Sequence, residues 1–574
     1  MKRKNKVKAG RTNVTLTNPG IESTLNEFVA DLMIKVPADK RICFLLGACE
    51  MGLGFKKQDI ITDDGEGAMT IPSVIIGAKI LLNGIYPLFG PADQVDSCLI
   101  AAKHHYKDAE GIDFDFSVRN PTPSSENLVS MFAWVLSSNH LYQGDAIHEV
   151  ANTLVLSGIS SYKSLPVDTT LIDTHFANHV AVTAKEYLMT LLALWAYSRK
   201  DFIINKQSFL RHSENKERIA SALESILESL SFRVDLPLTA PEFSHASTYS
   251  GKAKSEAIIT LRPLIKVQDE VYLSSGQSYM ALQMSRKFIT KALFYARQDH
   301  GSAMSPLSTF IGETRFERFF NELCSDWTGA TGFSEYFYDY AGNSLKSPDR
   351  VVFESHGTSE VATLFQLKGK PLLESSLFGG DYAKLVNDIG SAYAEMVYKT
   401  VQFLNSAKSL IASGRHNPST KHITERIFGC RKILLIGVSP EIPPIFTTAP
   451  VRKILEDRVK TIVGQAMWDE VHTYFDKVYW HVISLTEFQA FLCLPKHKRD
   501  FHKTIQAYFQ LSRIETEPVN LHSIPDTYRS FVLKKYGVKV KGKNGYIKPN
   551  AELEALYKVF SEEAIKYFGL TGKV

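Results

Sequence analysis

Apolar positions in this chain follow two rhythms, and the change between them suggests how it is organised. From Ile21 to about Leu230 the pattern is mainly helical. The run Tyr187-Leu188-Met189-Thr190-Leu191-Leu192-Ala193-Leu194-Trp195 suits a buried helix, and Ile219 to Leu230 repeats apolar residues at helical spacing. Pro121-Thr-Pro-Ser-Ser reads as a loop leading into a helix N-terminus. Near Ile258 the texture changes. Ile258 to Val267, a polar turn at Gln268-Asp-Glu, and Val271-Tyr-Leu predict a β-hairpin. A helix is expected from Gln277 to Arg297, then a linker at Asp299-His-Gly-Ser-Ala-Met-Ser-Pro. Between Leu307 and Val438 the predicted order is helix, three strands, helix, strand. These are Ile311–Cys324, then Glu335–Tyr340, Arg350–Glu354 and Glu360–Lys368, then Asp381–Lys408, then Lys432–Val438. Beyond Pro450 the pattern is helical again and ends in an amphipathic helix, Ala551–Tyr567.

The fold class expected is α/β and multidomain, with a mainly α-helical N-terminal half. Its layout is a flexible arm at 1–20, a helical accessory or sensor region at 21–257 and a hairpin-plus-helix connector at 258–300. A central α/β domain with a mixed sheet follows at 301–450, then a helical C-terminal region at 451–574. A length of 574 residues exceeds what one hydrophobic core supports. Hydrophobic residues at 44% and charged residues at 22% permit sizeable buried cores.

A net charge of +5 allows a nucleic-acid partner without requiring one. Two acid-free basic runs could neutralise phosphates: Lys2, Arg3, Lys4, Lys6, Lys8, Arg11, and Lys534, Lys535, Lys539, Lys541, Lys543, Lys548. For each run taken alone, a solvated tail and a solvated hairpin are the better explanation. The six cysteines (Cys43, Cys49, Cys98, Cys324, Cys430, Cys493) are scattered and form no CxxC pair, which argues for a reducing cytoplasm. The basic start is followed by no apolar stretch, so no secretory signal is expected. Ser73–Gly90 is interrupted by Lys79, and Tyr187–Tyr197 is too short to span a membrane.

One segment carries the parts of a phosphodiester hydrolase. Such chemistry needs hard oxygen ligands for a divalent cation, and a positive charge to offset developing negative charge. Ser347-Pro348-Asp349-Arg350-Val351-Val352-Phe353, a turn at His356-Gly357-Thr358, and Thr363-Leu364-Phe365-Gln366-Leu367-Lys368 predict two neighbouring antiparallel strands. Gln366 and Lys368 leave one face together with Leu364, while Phe365 and Leu367 enter the opposite layer. Asp349 can converge with the Gln366/Lys368 pair.

These residues resemble the PD-(D/E)xK nuclease superfamily, which includes type II restriction enzymes and Mrr-type nucleases. Pro348-Asp349 and the triplet Gln366-x-Lys368 carry the likeness, in the Gln-x-Lys form of the Mrr-type branch. A helix with a site-facing glutamate is expected before the first strand. Gly312-Glu313-Thr314-Arg315-Phe316-Glu317-Arg318-Phe319-Phe320 fits, with Glu317 at the margin of an apolar stripe and Glu313 one turn earlier. The resemblance spans residues 307–440. It implies hydrolysis of nucleic acid, DNA ahead of RNA, with Mg²⁺ or Mn²⁺. Asp349, Gln366 and Glu317 would be metal ligands, Gln366 through its carbonyl, and Lys368 would stabilise the transition state. Lys370, and the basic patch Lys496, Lys498 and Arg499, would contact phosphates. A restriction or anti-phage effector is the setting implied, with a homo-oligomer or a partner defence protein. The alternative is a degenerate nuclease fold serving as scaffold or nucleic-acid clamp, kept open by glutamine in place of glutamate.

Other constellations carry less. His175 and His179 are four apart on a predicted helix, but no third zinc ligand follows from the sequence. His104-His105 is no stronger. The glycine-rich Gly47–Gly54 lacks the Lys-Ser/Thr of a phosphate loop, and no G-x-S-x-G elbow is present.

Overall fold

The computed structural model describes residues 146–198, 203–210, 216–233, 261–268, 270–274, 277–301, 306–327, 329–356, 359–369, 382–440, 449–495, 498–511, 528–536, 538–540, 543–546 and 550–569. The basic run at 2–11, Gly47–Gly54, His104-His105, Lys370 and Lys496 lie outside them. The protein combines helices with a mixed five-stranded sheet, a general α/β fold. Two compact units are present. The described part of one lies within Thr190–Gln283 and Ala564–Val574, and that of the other within Pro123–Met189 and Met284–Glu563.

Three helices come first in the described chain: α1 (Ala146–Leu156), α2 (Thr170–Val180) and α3 (Ala184–Ser198). The unit containing Thr190–Gln283 then holds β1 (Ile203–Asn205), α4 (Lys216–Leu230), β2 (Ser231–Arg233), β3 (Leu264–Gln268) and β4 (Val271–Ser274). Ile219, Leu223, Ile226, Leu227 and Leu230 are the buried stripe of α4. The predicted hairpin forms as β3 and β4, but it is the middle of a four-stranded sheet, β1-β4-β3-β2. Its outer strands come from the stretch expected to be helical. At three residues each they are too short to display a period of two.

The expected helix at Gln277–Arg297 is two helices, α5 (Gln277–Met284) and α6 (Arg286–His300). Within the second unit α6 packs on α2, with Phe176 stacked on Phe288 at 5.0 Å. Asp299, assigned to a linker, is the last turn of α6. Its carboxylate bonds both His175 Nδ1 at 2.5 Å and His179 Nε2 at 2.9 Å. The histidine pair thus ties α2 to α6.

A π-helical stretch, Phe310–Glu317, runs into α7 (Arg318–Ser325), in place of one regular helix. Next come β5 (Ala330–Ser334), β6 (Phe337–Tyr340), β7 (Asn343–Lys346), β8 (Arg350–His356) and β9 (Ser359–Leu367). Then follow α8 (Tyr382–Ile389), a second π-helical stretch at Gly390–Ala394, α9 (Glu395–Ser413), α10 (Lys421–Gly429) and β10 (Lys432–Ser439). The chain continues as α11 (Ala449–Val463), α12 (Gln465–Tyr474), β11 (Lys477–Ser484), α13 (Leu485–Leu492), α14 (Phe501–Leu511), α15 (Tyr528–Tyr536) and α16 (Ala551–Phe568). The sheet order is β11-β10-β9-β8-β5. β5, β8 and β9 are antiparallel neighbours; β9, β10 and β11 are parallel.

Two expectations are corrected. The first sheet strand is Ala330–Ser334, whereas Phe337–Tyr340 pairs only with β7 in a separate hairpin. Alternating aromatics made the latter the stronger strand signal. Ala-Thr-Gly-Phe-Ser looks weak because Gly332 must be small: a Cβ there would meet the Arg350 guanidinium at 2.6 Å. Second, the C-terminal region is not all helical, since β11 extends the sheet beside β10. Its later residues are buried on both faces, which removes the alternation that marks a half-exposed strand. The core beneath the sheet draws on residues from well before and after it in the chain. Phe320, Phe365 and Val438 share one cluster with Ala151 and Val155 of α1, Phe488 and Phe491 of α13, Phe501 of α14, Tyr528 of α15 and Leu553 of α16. Phe320–Phe488 at 4.8 Å and Phe491–Phe501 at 4.9 Å are its closest ring pairs among those residues.

The opposite face of the sheet carries α9, and one glycine lets it approach. A Cβ on Gly437 of β10 would stand 3.1 Å from Met396 Cβ and Sδ. Gly437→Val is therefore expected to overpack this layer and cost about 1–3 kcal/mol. Chemical denaturation of variant and wild type checks it, and an unchanged midpoint would contradict the close approach.

Candidate active site at the ends of two strands

The pairing of β8 with β9 sets Arg350 opposite Phe365, and therefore brings Asp349 beside Gln366. Gln366 Nε2 donates to Asp349 Oδ2 at 2.6 Å, and the Leu367 backbone N–H donates to the same oxygen at 2.5 Å. Asp349 itself is only 8% exposed. Burial pushes its carboxyl up to about 7, against the Leu367 hydrogen bond. Repulsion from Glu317 and Glu335 adds to the rise, and Lys399 opposes it.

Glu317 closes the first π-helical stretch, beside the buried Phe316 and Phe319. Partial burial, then Glu335 and Glu313, raise it to about 7, with Lys346 opposing. Glu335 was not among the sequence candidates. It is fixed by its own N–H, which donates to the Asp349 carbonyl at 3.1 Å. Lys346, also unforeseen, approaches Glu335 at 3.1 Å.

Lys368 lies two residues beyond Gln366 on the same strand face, but its ammonium is engaged elsewhere. It pairs with Glu395 at the start of α9 and donates to the Ser391 carbonyl at 3.1 Å. Ser391 belongs to the second π-helical stretch. Glu395 also holds Lys399, at 3.0 Å. Both π-helical stretches therefore border the site, a common location for such irregular turns.

The structure brings Asp349 and Gln366 into contact, and the charge of Glu317 bears on Asp349. It differs from expectation in two details. Gln366 turns its amide nitrogen, not its carbonyl, towards Asp349. Lys368 is held by Glu395. Among the described residues no group of three or more His, Cys, Asp or Glu side chains is arranged to hold a metal ion.

The basic patch is elsewhere. Arg499 donates to the Leu494 carbonyl at 2.6 Å, and Lys498 to the Tyr536 carbonyl at 3.1 Å. Both precede α14, whose first N–H groups, Phe501 and His502, donate to Glu354 at 2.9 and 3.2 Å. Glu354 is five residues along from Asp349, about 16 Å at strand rise, and faces the opposite layer. Lys498 and Arg499 thus brace the α14 entry, far from the acid cluster.

No protein-family model, no curated protein and no solved structure matches this chain.

Glu354 generates a pH prediction. Burial raises its carboxyl from 4.5 to about 7, despite the two backbone donors. The folded state then holds a proton that the unfolded state releases between pH 4.5 and 7. Stability from this group is present below that window and falls as pH rises through it. Glu354→Gln keeps an acceptor for α14 and removes the charge. Relative to wild type, the variant is expected to gain up to about 3 kcal/mol between pH 4.5 and 8. Denaturation midpoints across that range check it; a constant difference would contradict it.

Proposed function

We propose that the chain is a metal-dependent nuclease with its centre at Asp349, Gln366, Lys368 and Glu317. The observation that carries this reading is the direct contact of Asp349 with Gln366 at neighbouring strand ends, beside Glu317 and Glu335. The order of helix, three sheet strands, long helix and parallel strand around it is the order the PD-(D/E)xK resemblance implies. On this reading a restriction-endonuclease-like domain forms around residues 301–450, and the chain acts on DNA in a restriction or anti-phage role in the cytoplasm, as a homo-oligomer or with a partner defence protein.

The donor chemistry fits Mg²⁺ or Mn²⁺. A magnesium ion keeps several waters and needs only one or two carboxylates, so a three-acid cage is not required. Asp349 and Glu317 would hold it. Their shared repulsion and burial favour any cation that relieves both. Gln366 orients Asp349 through its N–H, and its carbonyl could join only if the amide turned over. When bound, the ion would polarise the phosphate and lower the pKa of a coordinated water. Lys368 brings positive charge to the same strand face, and Glu395 sets where that charge rests. Among the described residues no helix is long and apolar enough to cross a membrane.

A second reading has its own observation. The Gln366 amide and the Lys368 ammonium are satisfied by Asp349 and Glu395, as in a scaffold with no chemistry to perform. Cleavage of plasmid DNA, single-stranded DNA and RNA separates the two, with Mg²⁺, Mn²⁺ or EDTA. Wild type is expected to cut with metal, and Asp349→Ala and Lys368→Ala to lose about 10²–10³-fold. Cutting that survives EDTA, or that both variants retain, would remove the site from the reaction. No cutting of any substrate would favour the scaffold.

A further inference from the structure

Among the described residues the hairpin β6/β7 pairs with no strand of the five-stranded sheet, yet its chain runs directly into Ser347-Pro348-Asp349. Its register places Phe337 opposite Lys346 and Tyr338 opposite Leu345. Directly opposed residues share a face, so the two faces differ in character. One is committed inward: Tyr338 is buried, with its ring 5.5 Å from Phe403 of α9. The other is open. Phe337 is 58% exposed, and Lys346 stands over its ring at 5.6 Å. Asp339 and Ser344 lie on that same face towards the hairpin tip, so its cationic end is the end nearest the acid cluster. Lys346 reaches Glu335 there.

We propose that Phe337 and Lys346 form a docking lip for single-stranded nucleic acid, Phe337 as a stacking platform for one base and Lys346 as a contact for an adjacent phosphate. This rests on the reading of the neighbouring site as one that handles nucleic acid. Three features select this occupant. A large aromatic ring, Phe337, is mostly exposed. A cation, Lys346, stands over one face of it and is shared with Glu335, leaving the other face for a base. The lip is continuous with Asp349, three residues beyond Lys346, within about 11 Å of extended chain. The ring favours a single strand because a base within a duplex has both faces covered by its neighbours, whereas an unpaired base has a face free to stack.

The test is fluorescence anisotropy with the full chain carrying Asp349→Ala, Ca²⁺ present, and a labelled single-stranded DNA oligonucleotide. The same sequence as blunt duplex and as RNA forms parallel arms. The expected result is tighter binding of the single strands than of the duplex. Phe337→Ala should weaken single-strand binding about 5- to 100-fold, the range for loss of one stacked base. Duplex binding should stay unchanged, and Phe337→Trp should restore the single-strand affinity. Phe337 is exposed, so a melting curve suffices to show that the variants fold. Unchanged single-strand affinity in Phe337→Ala, or no single-strand binding without that substitution, overturns the proposal. Binding is read without cleavage, so the two readings fail separately. A chain that cuts nothing but loses single-strand affinity in Phe337→Ala keeps the lip and removes the nuclease. A chain that cuts while Phe337→Ala binds normally does the reverse.

Discussion

The register of β8 against β9 is the constraint on which the site depends. With Arg350 opposite Phe365, Asp349 meets both the Gln366 amide and the Leu367 N–H. A one-residue slip would turn every side chain of one strand to the other face. It would carry Val352 out of the aromatic core and Asp349 into it. The register is therefore enforced by burial. Phe365 lies among Phe320, Trp327, Phe488 and Phe501, and each such ring contributes roughly 1.5–3 kcal/mol by leaving water. Core packing on one face thus fixes polar geometry on the other, although the two share no side chain.

The helical side of the site is held by a different device. Arg315 is 1% exposed, and its guanidinium donates to the carbonyls of Val155 at 2.6 and 2.8 Å, Pro166 at 2.7 Å and Ser160 at 3.2 Å. It thereby satisfies the C-terminal end of α1 and the loop after it, where carbonyls lack helical partners. Each carbonyl left unpaired would cost about 1–3 kcal/mol. Glu317 is two residues further along the same π-helical stretch, so the anchoring that orients Arg315 inward also limits where Glu317 can be.

What could be read from the sequence follows from how local each signal was. β8, β9 and β10 were legible within two residues because their apolar runs are bounded by turns and charges. Asp349 and Gln366 were legible as a pair because strand parity is a strict rule. Glu335 and Lys346 were not, since their place depends on a hairpin inserted between two sheet strands, and nothing local distinguishes that hairpin from a sheet edge. β11 was missed because a strand buried on both faces loses its alternation. The Asn152–Gln489 amide pair, bonded in both directions at 2.7 and 3.1 Å across 337 residues, could not have been inferred from either neighbourhood. The orientation of Lys368 was likewise beyond reach, because its partner Glu395 is 27 positions away on a helix that packs close against Gly437.

The acid cluster carries unfavourable electrostatics. Asp349 and Glu317 are desolvated, and Glu317 raises Asp349, while nearby cations are already shared: Lys346 with Glu335, and Lys368 and Lys399 with Glu395. Purely structural carboxylates here usually find a dedicated partner, as Glu360 does in its two-point contact with Arg426, which lowers its pKa. Glu354, buried on the other layer, at least caps a helix. Asp349 has neutral donors alone in direct contact, and Glu317 is coupled to three acids and a single lysine. Lys346 and Lys399 offset this only in part, so on the proposed reading a bound cation would relieve the remaining repulsion among these carboxylates.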